Sequence, residues 1–233
     1  MRKIDIYADG ADIKKIKYFN KQKNIKGITT NPSLMKKAGV TNYLKFVKEV
    51  SKIVKTKSVS FEVFSDDIPE MYNQAKKISS FGKNIYVKIP ITNTKGKSCI
   101  GLIKKLSNEK INLNITAILT EDQIKNVIKA LNPKSNSIVS IFSGRIADTG
   151  RDPIPFIKLA LKLKNKKKRI KILWASTREI FNIIQAKNIG CNIITVPTEM
   201  LKKLDFFGYS LKKYSLDTVK TFYQDSISSG FKI

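Results

Sequence analysis

The chain has 233 residues, of which 42% are hydrophobic, and it carries a formal net charge of +27. This length accommodates one large α/β barrel or two smaller domains, and the hydrophobic share is ordinary for a water-soluble globular protein. The chain contains no histidine, so the commonest metal ligand and the usual neutral-pH acid or base are both missing. Cys99 and Cys191 are the only cysteines, far apart and without metal-ligand spacing, which argues against a disulfide framework and a zinc site.

The positive charge comes mainly from lysine, because only five of the 45 basic residues are arginine. These lysines are spread along the whole chain and form no arginine-rich or aromatic-interleaved stretch of the kind that reads nucleic acids. We therefore expect no nucleic-acid partner, with a basic nucleic-acid-binding barrel that lacks catalysis as the remote alternative. No run approaches the roughly 18 apolar residues that a membrane span needs, and the N-terminus lacks a signal-peptide core. We expect a cytoplasmic protein with no membrane partner.

Short β-rich runs alternate with helical patterns along the chain. The segments between the strands repeat apolar residues at three-to-four spacing, as from Tyr43 to Val54, which predicts helices packed on a sheet. Thr120 and Gln123 have capping-box spacing, and Asp152 precedes a proline suited to the first helical position. The predicted strands are Ile4–Ala8, Gly27–Thr29, Val59–Val63, Ile85–Ile89, Leu113–Thr116, Ile138–Ile141, Ile170–Trp174 and Ile193–Val196.

Eight such repeats without a linker predict one domain over residues 1–233, a single (β/α)₈ TIM barrel rather than a doubly wound sheet. Beyond the last strand, helical patterns at Glu199–Leu204 and Ser215–Ser229 predict an extra C-terminal helical tail over about residues 205–233. Because this tail is rich in aromatic residues, we expect it to pack on its own barrel or on a neighbouring subunit of a homo-oligomer. Neither a dinucleotide-binding glycine pattern after Gly10 nor a phosphate-binding P-loop occurs, so we expect no nucleotide cofactor.

Lys88 lies within an otherwise apolar strand pattern that ends at Pro90. Keeping an ammonium group charged in apolar surroundings is costly, and this favours a neutral amine that can attack a carbonyl carbon. The structural alternative is a lysine whose long side chain reaches water from the strand end. Its apolar neighbours Val87 and Ile89 distinguish it from the lysines at helical spacing.

In a parallel barrel, functional side chains lie at the C-terminal ends of the strands. The ends of the first seven predicted strands each carry at least one polar side chain: Asp9, Asn31, Glu62, Lys88, Asn114, Thr116, Ser140, Arg145, Ser176 and Arg178. Taken singly, Asp9 and Asn31 could cap turns or helices, and Glu62 could be a paired core carboxylate. Their joint occurrence on one rim predicts an active site.

Several multi-residue motifs carry a family resemblance that covers essentially the whole chain. They are Gly27-Ile28-Thr29-Thr30-Asn31-Pro32-Ser33-Leu34, Val87-Lys88-Ile89-Pro90, Asn114-Ile115-Thr116, Ser140-Ile141-Phe142-Ser143-Gly144-Arg145 with Asp148-Thr149-Gly150, Ala175-Ser176-Thr177-Arg178 and Thr195-Val196-Pro197. In order and spacing they resemble the transaldolase family, in its compact subfamily that also includes fructose 6-phosphate aldolases.

The resemblance implies a metal-free and cofactor-free enzyme acting on phosphorylated sugars, with Lys88 as the Schiff-base lysine and Asp9 as the carboxylate that handles the C4 hydroxyl proton. It implies that Glu62 and Thr116 hold a catalytic water. The implied substrate-binding positions are Asn31, Asn114 and Ser140 for the dihydroxyacetone unit, Phe142 beside them, and Arg145, Ser176 and Arg178 for phosphate. Guanidinium groups match phosphate geometry, and two of the chain's five arginines fall on this rim.

The resemblance leaves two activities open: transfer of dihydroxyacetone between sugar phosphates, of the pentose phosphate pathway type, or its release by an aldolase. The aldolases tend to carry glutamine, tyrosine and lysine at the positions of Glu62, Phe142 and Arg178, which favours the transferase. Two departures from the family pattern, Gly10 after Asp9 and the bulky Trp174, predict an altered pocket shape.

Overall fold

In the computed structural model, which describes residues 3–232, the strands form a closed parallel barrel. Each strand pairs with the next along the chain, and the last pairs with the first. This confirms the predicted (β/α)₈ barrel, and every strand is found within two residues of its predicted ends. The eight strands in the described part of the chain are β1 Asp5–Asp9, β2 Ile25–Thr29, β3 Ser58–Glu62, β4 Ile85–Pro90, β5 Leu113–Ile118, β6 Ser137–Ile141, β7 Ile170–Trp174 and β8 Ile193–Pro197.

Helices connect the strands and surround the barrel. They are α1 Ile13–Lys21, α2 Pro32–Lys37, α3 Tyr43–Ile53, α4 Ile68–Ser79, α5 Ile100–Asn108, α6 Glu121–Ala130, α7 Ser143–Ala147, α8 Ile154–Lys164, α9 Asn182–Asn188 and α10 Thr198–Leu201. The predicted capping box of Thr120 and Gln123 is present at the start of α6. Helix α8 begins at Ile154, one residue later than predicted, and the Asp152 carboxylate accepts a hydrogen bond from the Ile154 N–H at 2.9 Å.

The core has two parts, one between the strands and the helices and one inside the barrel. Outside the strands, Phe46 of α3 meets Phe61 of β3 edge to face, with ring centroids 6.1 Å apart. Inside the barrel, a buried apolar cluster comprises Tyr7, Ile138, Leu173, Ala175 and Ile193. Because apolar side chains fill this part of the interior, the polar side chains are left to the C-terminal ends of the strands.

Gly27 makes room for the Tyr7 ring inside the barrel. A Cβ atom added at Gly27 would lie 2.5 Å from the nearest carbon of that ring, closer than any real contact. The Tyr7 hydroxyl and the Ser58 Oγ are 2.9 Å apart, and burial raises the pKa of Tyr7 to about 12. The glycine that opens the Gly27–Leu34 motif therefore serves interior packing.

The chain divides into two compact units, residues 1–201 with the barrel and residues 202–233 with the C-terminal tail. The tail contains a 3₁₀ turn at Lys202–Phe206 and the helix α11 at Leu211–Ser228. Helix α11 begins four residues before the predicted Ser215, because the Ser210 side chain caps it by accepting a hydrogen bond from the Lys213 N–H. None of the helices among residues 3–232 is long and apolar enough to cross a membrane.

Candidate active site

A cavity of about 430 Å³ opens at the C-terminal ends of the strands. Ten of the eleven side chains predicted from the sequence line this cavity: Asp9, Asn31, Glu62, Lys88, Asn114, Thr116, Ser140, Phe142, Arg145 and Ser176. The eleventh, Arg178, does not line it. Residues separated by up to 167 positions in the chain are thus brought to one site by the barrel.

Lys88 is 7% exposed, and its amine is held by two oxygen acceptors. Its Nζ donates hydrogen bonds to the Thr30 carbonyl oxygen at 2.7 Å and to Glu62 Oε2 at 3.2 Å. The amine therefore lies directly beside a carboxylate that can exchange a proton with it.

Strand register explains why these groups meet. Glu62 is paired with Lys88 across β3 and β4, and Lys88 is paired with Asn114 across β4 and β5. Side chains at one level of neighbouring strands point into the barrel together when they share the inward face. The result is a row of carboxylate, amine and amide on three adjacent strands.

The Asn114 side chain is buried and fixed at both ends. Its Nδ2 donates to Ser60 Oγ at 3.0 Å, and its Oδ1 accepts a hydrogen bond from Ser140 Oγ at 2.6 Å. An amide held through both its nitrogen and its oxygen keeps one orientation and still has one N–H and one lone pair for a ligand. Asn114 and Ser140 consequently offer a rigid polar wall to a bound hydroxyl group.

Asn31 has a structural role as well as a place in the cavity. Its Oδ1 caps α2 by accepting a hydrogen bond from the Leu34 N–H at 2.9 Å. The capping alternative considered for Asn31 is therefore realised, and it is compatible with binding because the cap uses only the oxygen of the amide.

Asp9 ends β1 and is partly buried at the site. Burial raises the pKa of its carboxyl group, while the Lys88 charge and a hydrogen bond from Thr29 act in the opposite direction. Thr29 Oγ1 donates to Asp9 Oδ1 at 2.7 Å. A carboxyl group with a raised pKa binds a proton more readily, so ionised Asp9 can accept a proton during a reaction.

Arg145 and Ser176 lie side by side because α7 approaches the end of β7 very closely. A Cβ added at Gly144 would lie 1.6 Å from the Ser176 carbonyl oxygen, so only glycine fits there. Ser176 itself has a φ of +63°, an uncommon conformation for a residue other than glycine. The two elements thereby present a guanidinium and a hydroxyl at one edge of the cavity.

Arg178 is engaged by a carboxylate outside the cavity. Its Nε donates to Asp148 Oδ1 at 2.9 Å and its Nη2 to Asp148 Oδ2 at 2.5 Å, a two-pronged pair that also lowers the pKa of Asp148. Sequence reasoning placed Arg178 at the rim but did not identify its partner. In this structure the guanidinium would have to leave Asp148, or share it, to reach an anion in the cavity.

Sequence reasoning also missed three side chains that bear on the site. Thr29 and Thr195 line the cavity, and the Tyr43 hydroxyl donates to the Glu62 carbonyl oxygen at 2.6 Å. Both threonines fall within the quoted motifs, but a threonine in a strand is ordinary and carries no signal of its own. Conversely, the bulky Trp174 does not line the cavity, since it alternates with the lining residues Leu173 and Ala175 on β7.

This fold and this arrangement define a (β/α)₈ barrel with a buried lysine, two carboxylates and a basic edge at its mouth. Among residues 3–232 there is no group of three or more side chains that could hold a metal ion. The side chains that line the cavity supply amine, carboxylate, amide, hydroxyl and guanidinium groups.

The family model for transaldolase/fructose-6-phosphate aldolase matches residues 6–229. A "Probable transaldolase" of Nitrosopumilus maritimus is 34% identical over 201 residues, covering 85% of this chain and 86% of that protein. Another "Probable transaldolase", from Methanococcus maripaludis, is 32% identical over 212 residues, covering 91% and 93%. The chain belongs to the transaldolase/fructose-6-phosphate aldolase family.

Two solved structures share the fold. "QR15, an Aldolase" superposes with a TM-score of 0.55 at 19% identity, covering 86% of this chain and 95% of that one. The KGPDC of Streptococcus mutans gives 0.56 at 12% identity, covering 85% and 90%. At such identities the likeness concerns the barrel alone.

Proposed function

We propose that the protein is a transaldolase that transfers a dihydroxyacetone unit from a ketose phosphate to an aldose phosphate through a Schiff base on Lys88. The observation that carries this proposal is the Lys88 amine, buried at the barrel mouth and 3.2 Å from the Glu62 carboxylate. Family membership supports the reaction class, and the groups around the amine support the individual steps.

The first step is formation of the Schiff base. Glu62 takes a proton from the Lys88 amine, and the free lone pair attacks the C2 carbonyl carbon of the ketose. The C2 oxygen then takes two protons, one from the attached nitrogen and one returned by Glu62, and leaves as water, which Thr116 at the same cavity holds. The product is an iminium ion between Lys88 and the sugar.

The second step breaks the C3–C4 bond. Asp9 takes the proton of the C4 hydroxyl, C4 becomes an aldehyde, and the electron pair of the broken bond moves to the iminium, which becomes an enamine. The new aldose phosphate leaves. The dihydroxyacetone enamine stays bound, its hydroxyl groups held by Asn31, Asn114 and Ser140.

The third step runs in reverse with a new acceptor. The enamine carbon attacks the acceptor's aldehyde carbon, Asp9 returns its proton to the new hydroxyl, and hydrolysis of the iminium frees the longer ketose phosphate. The phosphate lies at Arg145 and Ser176, and Arg178 joins them by exchanging Asp148 for phosphate oxygens.

Trapping with borohydride tests the Schiff base. Borohydride reduces an iminium to a stable amine, so the protein incubated with fructose 6-phosphate should gain the mass of one reduced dihydroxyacetone unit on the peptide that contains Lys88. Lys88→Arg should gain none and lose at least about 10³-fold in turnover. Lys95→Arg, in the loop after the same strand, is the matched control and should label like the parent. An unchanged mass in the parent would exclude this mechanism.

A coupled assay separates transfer from release. With fructose 6-phosphate and erythrose 4-phosphate as substrates, a transaldolase forms the seven-carbon ketose phosphate, whereas an aldolase liberates free dihydroxyacetone without any acceptor. Glu62 favours transfer, because the resemblance places glutamine there in the aldolases. Release of dihydroxyacetone as the faster reaction would assign the alternative activity, fructose-6-phosphate aldolase.

A further inference from the structure

A chain of two hydroxyl groups leads from β8 to the Asp9 carboxylate. Thr29 Oγ1 lies 2.7 Å from Asp9 Oδ1 and 2.5 Å from Thr195 Oγ1. Thr29 is 3% exposed and Thr195 is 6% exposed, and both line the cavity. Because β1 pairs with β2 on one side and with β8 on the other, the three side chains come from three adjacent strands.

The number of available protons fixes which group donates in each of these two hydrogen bonds. A threonine hydroxyl has one proton to donate and lone pairs that accept. When Asp9 is ionised it can only accept, so Thr29 donates to Asp9, and the hydrogen bond between the threonines must then be donated by Thr195. When Asp9 is protonated, its O–H can donate to Thr29, and Thr29 can turn its own proton to Thr195. Both charge states of Asp9 are therefore satisfied by the same heavy-atom positions.

We propose that Thr195 is a positioning residue for Asp9, acting through Thr29 as a hydroxyl relay that reverses each time Asp9 accepts or returns the proton of the substrate's C4 hydroxyl. The proposal deepens the proposed function and rests on it for its catalytic consequence. No bond other than O–H···O hydrogen bonds changes in the relay, and the transferred proton stays on Asp9 between the two half-reactions.

The surroundings of Thr195 suit this role. Its carbonyl oxygen accepts a hydrogen bond from Thr177 Oγ1 at 2.7 Å, a contact that links the end of β8 to the segment after β7 without using the Thr195 hydroxyl. The charged groups that face Asp9 are Lys88 from β4, which favours its ionised form, and Glu62 from β3, which opposes it. Thr29 adds a neutral donor that favours ionisation, and its hydrogen bond is strengthened when it accepts one from Thr195.

Thr195→Val and Thr195→Ser form a matched pair of variants. Valine keeps the shape but removes the hydroxyl, and serine keeps the hydroxyl with a smaller side chain. We expect valine to lower kcat about 10-fold with KM within about 2-fold, and to move the acid limb of the pH–rate profile to higher pH, because ionised Asp9 loses support. The serine variant should have the kcat and the acid limb of the parent. Equal losses in the two variants, or an unchanged profile in the valine variant, would overturn the proposal.

A measurement independent of activity separates this proposal from the proposed function. Titration of the Asp9 carboxyl carbon by ¹³C NMR, assigned with Asp9→Asn, should show a midpoint at higher pH in the valine variant than in the parent and serine variant. If valine does not fold, Thr195→Ala takes its place. An unshifted midpoint rejects the relay even if the enzyme is a transaldolase. Borohydride trapping should still label Lys88 in the valine variant. If trapping fails in the parent protein, the proposed function is rejected, and the Asp9 titration still decides whether the relay exists.

Discussion

Asp9 illustrates a conflict between stability and function in a single side chain. Asp9 is partly buried, and this burial raises the pKa of its carboxyl group more than Lys88 and Thr29 lower it. A raised pKa in the folded state means that the folded protein binds a proton more tightly than the unfolded chain does. Stability from this group is therefore fully present below the unfolded pKa, near the ordinary value of 3.8, and is lost as the pH rises through the folded pKa.

We expect Asp9→Asn to make the protein more stable than the parent at pH 7, because the amide is neutral and can still accept the hydrogen bond from Thr29. The difference should shrink at pH values below about 4, where the parent's Asp9 is neutral as well. Urea unfolding of both proteins at the two pH values measures it. Catalysis should be lost in the same variant. A less stable Asn variant at pH 7 would mean that the charge of Asp9 is net stabilising.

The contact between α7 and the end of β7 shows how one element positions a site. Gly144 is the residue at which α7 meets the Ser176 carbonyl oxygen, and a Cβ there would lie 1.6 Å from that atom. The next residue is Arg145, so any displacement of the helix moves a guanidinium that lines the cavity. The family motif around Gly144 thus encodes a close approach of two backbones.

Gly144→Ala should lower the free energy of unfolding by about 2–4 kcal/mol, since backbone rather than a flexible side chain blocks the added methyl group. Gly101→Ala is the matched control. It lies in α5 with nothing within 4 Å of the added Cβ, so alanine should be neutral or stabilise by up to about 1 kcal/mol. Urea denaturation of both variants decides this, and equal stabilities would show that α7 shifts without cost.

Basic charge is distributed unevenly between the two ends of the barrel. The segments that lead from helices into strands contain ten basic residues and one acidic residue, Glu109. The segments that lead from strands directly into helices contain three basic and four acidic residues. The sequence spreads its lysines along the chain, but the fold gathers those of the loops at the face remote from the cavity. For the anionic substrates of the proposed function, we therefore expect attraction at the mouth to come from Arg145 rather than from a generally basic rim.

A net charge of +27 should make stability depend on salt. Like charges repel within the folded protein. The distance over which they act shortens from about 30 Å at 0.01 M salt to about 8 Å at physiological ionic strength, because salt screens them. We expect the Tm to rise by several degrees when sodium chloride is increased across that range. Chloride is the suitable anion because sulfate and phosphate also act by exclusion or by binding.

Paired charge reversals test the location of this repulsion. Lys166→Glu with Lys168→Glu, in the most basic of the helix-to-strand segments, should raise the Tm at low salt and weaken its salt dependence. Lys95→Glu with Lys97→Glu, in a strand-to-helix segment, should do so less. A Tm that is independent of salt in the parent would show that the repulsion is already compensated in the folded state.

Much of the fold follows from local sequence patterns. The apolar runs located all eight strands found in the described residues, and the capping box at Thr120 located the start of α6. Errors concern element ends, such as the start of α11, because a single capping serine such as Ser210 looks like any other loop serine. The strands and the capping box are predictable because alternation and capping depend on residues close together in the chain.

The sequence by itself also determined which residues meet at the cavity, since strand ends in a parallel barrel share one rim and ten of the eleven predicted side chains line it. Only the tertiary structure decided their partners. Asp148 engages Arg178, Ser60 fixes Asn114, and Thr195 reaches Asp9 through Thr29. Each of these contacts joins residues far apart in the chain, and the atom that a hydroxyl or guanidinium bonds is set by strand register and helix approach to within tenths of an ångström. A pattern of residues that are neighbours in the sequence does not determine these distances between atoms.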